Sequence, residues 1–195
     1  MFPRNTLVVG AISVIAAASF QMPSMAQSTG SGARARADTA AAQSQPSASD
    51  SKLSSADRGM LRDIAEANLA EVASGQLALE KSQNDQVKQF AQMMVDDHSK
   101  ALKEVEQLAQ DKNVKLPTAP GVKHKAVMLE LKAIKGNTFD KKYIAHAGLD
   151  DHKATVALLQ KTQAKAQDED LKSLAGKMLP TVQEHLKHAQ DMAKM

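Results

Sequence analysis

Cysteine is absent from the 195-residue sequence, which excludes disulfides, thiolate metal ligands, redox thiols and a lipid attached through cysteine. Stability must come from packing. Tryptophan is absent too, and beyond residue 26 the only aromatic residues are Phe90, Phe139 and Tyr143, so no stacking platform for bases is visible. Lys and Arg are interleaved with Asp and Glu to a net charge of +3. That balance forms no basic stripe, and nucleic acid is not an expected partner. Long apolar runs are equally scarce. The one near the start, Leu7 to Phe20, falls short of the roughly 20 residues needed to cross a bilayer. With Arg4 before it and Ser24-Met25-Ala26 after it, the run reads as a secretory signal over residues 1–26, cleaved near Ala26. No transmembrane span is expected after processing.

Small and polar residues then dominate, with Arg34, Arg36, Asp38 and Asp50 scattered among them. Almost nothing there is large enough to bury, so residues 27–53 are expected to form a disordered linker. Residues 54–195 have the length of one ordinary domain with a single hydrophobic core.

Four segments of that domain carry helical periodicity, and each opens with capping chemistry: Ser54 ahead of Asp57, Ser82 ahead of Asp85, Asn137 ahead of Asp140, and Asp168 ahead of Leu171. The connections around Ser82–Asn84 and Gln167–Asp168 are so short that each helix pair must fold back on itself. Between the two hairpins, Val114-Lys115-Leu116-Pro117 reads as extended, and Pro120–Lys135 as a shorter helix ended by Gly136. The expected fold is all-α: a four-helix ferritin-like bundle of two antiparallel helical hairpins joined by a long crossover containing a short helix. An up-down-up-down bundle with a decorated loop fits the same pattern.

At about 100° per residue, positions can be sorted by face. His98 falls within the apolar stripe of Val87, Phe90, Met94 and Val105. His152 lies among Ile144, Leu149, Val156 and Leu159, and His185 among Leu174, Met178, Val182 and Ala189. The first helix places Asn68 within its face of Leu61, Ile64 and Ala65, with Glu71 on the edge. A rise of about 1.5 Å per residue puts Glu71, His98 and His152 roughly 20 Å from the turn of their own hairpins and His185 about 27 Å, all near mid-height. His124, His146 and His188 have no such placement and are expected at the surface.

Buried imidazoles and a carboxylate need partners: mutual hydrogen bonds, water or a metal ion. Without thiolate, these are ligands for Zn, Fe, Mn or Cu. Glu71, His98, His152 and His185 are therefore candidate ligands for one transition-metal ion. The competing reading makes the histidines hydrogen-bonded core residues. A di-iron centre needs Glu-x-x-His pairs, and Val95 and Val182 occupy those positions. Asp97, Asp151 and Glu184 directly precede the histidines but point about 100° away, so they are not expected to share the site. His185, His188 and Met192 also lie on successive turns, a set that would suit copper. Its simpler reading is a core methionine beside a solvated histidine. No nucleophile elbow, phosphate loop or zinc-protease helix occurs, and enzymatic activity finds little support.

The blocks Ala70-Glu71-Val72, Phe90-Ala91-Gln92-Met93-Met94-Val95-Asp96-Asp97-His98-Ser99-Lys100, Val114-Lys115-Leu116-Pro117, Phe139-Asp140-Lys141-Lys142-Tyr143, Asp151-His152 and Leu179-Pro180 through Glu184-His185 resemble a large family of exported bacterial proteins. That family is defined by a domain of unknown function, is often labelled "predicted outer membrane protein", and is grouped with ferritin-like folds. The resemblance spans about Asp57 to Ala193 and implies fold and envelope location. A helical bundle without lipid anchor or barrel strands has no means of integrating into the outer membrane, so a periplasmic location is expected. Two functions remain: a binding or stress-related protein holding a metal ion, or a structural adaptor for an envelope partner protein, its buried histidines serving as core or acid-responsive residues.

Overall fold

The computed structural model describes residues 52–194; the signal segment and nearly all of the expected linker lie outside the described residues. Ser54 Oγ accepts a hydrogen bond from the Asp57 amide at 3.0 Å and opens α1 (Ser55–Lys81). α2 (Asp85–Asp111) is capped by Asn84, whose Oδ1 accepts from the amides of Gln86 and Val87. Ser82, the expected cap, instead ends α1 and takes the Asn84 amide at 3.1 Å, because a capping oxygen must sit immediately before the first helical residue to reach its orphan amides. α2 closes on Asn113 at φ 53. That left-handed residue lets the Val114 amide reach back to Ala109 O at 2.7 Å.

The crossover helix α3 (Val122–Ala133) is shorter than the expected Pro120–Lys135. Gly136, expected to end it, has φ 58 and begins α4 (Gly136–Tyr143). Asn137 therefore lies inside the first turn of α4, which has no side-chain cap. α4 continues into a π-helical segment (Ile144–Asp151) and then α5 (His152–Lys165), so the third rod is not the uniform α-helix its periodicity suggests. α6 (Glu169–Met192) starts at Asp168, whose Oδ1 accepts from the Leu171 amide at 3.0 Å. Among the described residues there is no strand.

Three contacts settle the topology. The Asp57 carboxylate accepts from the amides of Gln167 and Asp168, each at 3.1 Å, and Lys112 Nζ lies 2.7 Å from both Asp168 and Asp170. The α5–α6 turn thus shares an end with the start of α1 and the finish of α2. At the other end, Lys81 Nζ donates to Leu131 O at 3.1 Å. α2 and the third rod therefore run in the same direction, and the crossover travels the length of the bundle. That is the ferritin-type connection, not up-down-up-down.

The apolar interior falls into two parts. One gathers Met60, Leu61, Ile64, Val105, Leu159 and Leu171; the other gathers Leu77, Phe90, Met94, Phe139, Tyr143 and Ala189. On every rod a buried polar residue lies between them in sequence: Asn68 and Glu71, His98, His152 and His185. Phe90 meets Tyr143 edge-on with ring centroids 6.2 Å apart, and truncating such a buried aromatic to Ala costs about 3–5 kcal/mol.

Candidate metal centre

Between the two apolar halves, Asn68 and Glu71 on α1, His98 on α2, His152 at the π-to-α5 junction and His185 on α6 are all buried. The three imidazoles converge from three rods. Their ring centroids are 5.3, 5.4 and 5.5 Å apart pairwise, and one nitrogen from each lies within 4.8 Å of the others. Glu71 does not join that nitrogen group. Its Oε1 approaches Nδ1 of His152 at 3.4 Å, and neither carboxylate oxygen has a hydrogen-bond partner among the described residues.

Each ring commits one nitrogen to a group that fixes its tautomer. His98 Nδ1 is 2.9 Å from Asn68 Oδ1, and the Asn68 amide donates in turn to Ile64 O at 2.7 Å. His152 Nδ1 is 2.7 Å from Ala147 O, five residues back within the π segment. His185 Nε2 is 3.0 Å from Asp97 Oδ2. All three oxygens can only accept, so these nitrogens carry the protons and donate. The opposite nitrogens, His98 Nε2, His152 Nε2 and His185 Nδ1, are buried lone pairs without a partner among the described residues.

Asp97 thus serves the site, against the expectation drawn from its own helix. It points away from His98, and that direction carries it across to α6, where the neighbouring ring awaits. Two of the three histidines expected at the surface are also partly covered. His124 Nε2 lies 3.6 Å from Asp151, and His146 lies between Glu130 and Asp150; only His188 is exposed.

Burial keeps the trio neutral. Desolvation pushes the His98 imidazole well below its ordinary range, reinforced by the two neighbouring rings. It brings His152 down to about 4 against the pull of the Ala147 carbonyl, and it lowers His185 despite Asp97. Glu71 is pushed well up, first by burial and then by Asp151. The Tyr143 phenol follows, raised by burial and by Glu71. The layer therefore favours neutral imidazoles and disfavours an ionised Glu71, with ring lone pairs available for an ion.

Small residues permit the convergence. A Cβ on Gly148 would come within 2.9 Å of the Ala189 Cβ, so the π segment packs directly against α6 one turn from His185. The π turn carried no periodic signal. Gly148, lodged between the apolar positions Ile144 and Leu149, was its one visible trace.

Fold and layer together define the class: an all-α ferritin-like bundle with a histidine-rich polar stratum in its interior. The chain belongs to the family described as "Domain of unknown function (DUF4142)", whose model matches residues 42–192. Among solved structures it is similar to a DUF305 fragment from Deinococcus radiodurans, with TM-score 0.65 and 11% identity, covering 73% of this chain and 97% of that one. It is also similar to a putative secreted DUF305 protein from Streptomyces coelicolor, with TM-score 0.61 and 14% identity over 70% and 89% of the two chains. A third is CopM in the Cu(II)-bound form, with TM-score 0.60 and 14% identity over 71% and 95%. At such identities the likeness is one of fold. No curated protein matches the chain. No helix among the described residues is long and apolar enough to cross a membrane.

Proposed function

We propose that this chain is a periplasmic protein that holds one transition-metal ion on His98 Nε2, His152 Nε2 and His185 Nδ1, with Glu71 behind His152 as a positioning residue rather than a ligand. The observation that supports this reading is the division of labour within each ring. One nitrogen is fixed outward by an acceptor, as metal-binding imidazoles are, and the other is a buried lone pair with nothing to satisfy it. Metal–nitrogen bonds of about 2.0–2.1 Å would draw the nitrogens to roughly 3.4 Å from one another. At present they lie within 4.8 Å of one another.

Neutral nitrogen donors suit copper or zinc better than manganese or ferrous iron, which favour more carboxylate. Copper is the first choice, since CopM, which shares the fold, is described in a Cu(II)-bound form. A cleft of about 120 Å³ lined by Asp97, His98, Ala101, Met178, Val182 and His185 leads toward the rings between α2 and α6. A deep site reached this way withholds its ion from the compartment, which fits a stress-related role in the envelope.

The deciding measurement is metal content after loading with copper or zinc and gel filtration. About one ion per chain is expected for the wild type and a negligible amount for the triple His→Ala variant, with His185→Gln as a milder check in a folded background. Equal metal in wild type and variants would end the proposal.

A second reading rests on α3, where Val122 and Leu129 are 85% and 69% exposed: an adaptor bundle presenting this helix to an envelope protein. It predicts a co-purifying partner that is lost when both residues become serine.

A further inference from the structure

A cavity of about 620 Å³ opens at the end of the bundle where α1 turns into α2, and no side chain of the histidine layer lines it. Its apolar wall is formed by Val87, Ile144, Leu149 and Met192, with amide side chains around the rim. Asp140 is the anomaly. It is only 8% exposed, its Oδ1 is buried without a hydrogen-bond partner among the described residues, and the residue lines the same cavity.

Neither nearby lysine answers it. Lys142 is committed to Glu130 at 2.9 Å, and Lys141, though it borders the cavity, is exposed and keeps its ammonium in water. A buried carboxylate without a cation or donor is costly, and a partner supplied from outside would remove that cost.

We propose that this cavity binds a small organic cation with an apolar body, of the primary alkylammonium class. Its nitrogen meets Asp140, and its hydrocarbon chain lies along Val87, Ile144, Leu149 and Met192. The volume falls within the roughly 300–1,000 Å³ of small-molecule sites, and so does the pairing of an apolar wall with one specific polar group. The charge sign follows from Asp140: an organic anion would face its carboxylate, and an alcohol would leave it without a counter-charge.

The test uses metal-free protein, so it stands apart from the histidine site. Hexylammonium and hexanoate are titrated in turn while the methyl signals of Ile144, Leu149 and Met192 are followed by NMR. Saturable binding of hexylammonium is expected, with hexanoate at least tenfold weaker and Asp140→Asn losing tenfold or more. Ala145→Phe, which fills the wall and spares the carboxylate, should weaken hexylammonium as well and keeps the test open should Asp140→Asn fold poorly. Hexanoate binding as tightly as hexylammonium, or hexylammonium binding indifferent to these substitutions, would overturn the proposal.

Discussion

Asp97 Oδ2 accepts a hydrogen bond from His185 Nε2 at 3.0 Å, joining α2 to α6 beside the imidazole cluster. His185 is buried, while the Asp97 side chain is 44% exposed. The pair therefore spans the boundary between interior and solvent. The carboxylate holds the ring with its Nδ1 turned inward, and in the metal-bound state it would raise the basicity of that nitrogen. Such outer partners typically contribute about 10–100-fold to metal affinity. Asp97→Ala is expected to weaken copper or zinc binding by about that factor while leaving the helical content unchanged. Competition titration against a chelator of known affinity measures it. Affinity equal to wild type would show that Asp97 only decorates the cleft.

Acid should destabilise the metal-free protein through its histidines. His98, His152 and His185 all bind protons more weakly when folded, so below the ordinary value of 6.5 the unfolded chain takes up more protons than the native one. Stability then rises with pH across that window and is lost as pH falls. For His152, shifted from 6.5 to about 4, the effect amounts to about 3 kcal/mol. Urea denaturation between pH 7 and pH 4 should show the loss, and His152→Gln should flatten it. An unchanged slope in that variant would contradict the assignment.

Glu71 works in the opposite sense. Its folded value is raised, so above 4.5 the unfolded chain gives up its proton first and stability falls as pH rises toward the folded value. Glu71→Gln removes the ionisation while keeping the shape. The metal-free variant should exceed wild type in stability at pH 7–8, with the gain fading near pH 4. A gain of equal size at both ends would trace to packing instead of charge.

Gly148 and Ala189 meet closely between the third rod and α6, where an added Cβ would sit 2.9 Å from its neighbour. Gly148→Ala should cost about 1–3 kcal/mol, as overpacking commonly does, and should spread His152 from His185. Ala189→Gly in the same chain should restore most of both losses. A double-mutant cycle in chemical denaturation gives the coupling directly. Additive effects would mean that the two residues do not press on one another.

The rods and their inward faces were legible because period 3.6 and the absence of competing patterns leave little choice. His98, His152 and His185 fall inside apolar stripes, and burial follows from that position alone. What periodicity could not reveal was anything depending on two rods at once. Asp97 was set aside because it points away from His98, yet its direction matters only once α6 is placed beside α2. The crossover stayed open for the same reason: the bond from Asp57 to the α5–α6 turn links residues 110 apart. The π segment around Gly148 shifts the phase within a single rod, which a fixed 100° step cannot register.

Asn68 offers the most direct test of whether the layer is organised around lone pairs. Its Oδ1 accepts from His98 Nδ1 at 2.9 Å and its amide is tied to Ile64 O, so the side chain cannot turn to offer its nitrogen instead. Asn68→Leu keeps the volume and removes the acceptor. A buried N–H is then stranded at a cost of about 1–3 kcal/mol, and His98 becomes free to present either tautomer. Asn68→Asp places a second carboxyl in the dry layer, unfavourable in the metal-free state, but supplies a counter-charge once a cation is bound. The two variants should both melt below wild type without metal and diverge with it: the rise in melting temperature on adding copper or zinc should shrink in Asn68→Leu and grow in Asn68→Asp. Identical rises in all three proteins would mean that His98 does not bind the ion through the nitrogen opposite Asn68, and the three-histidine assignment would have to be abandoned.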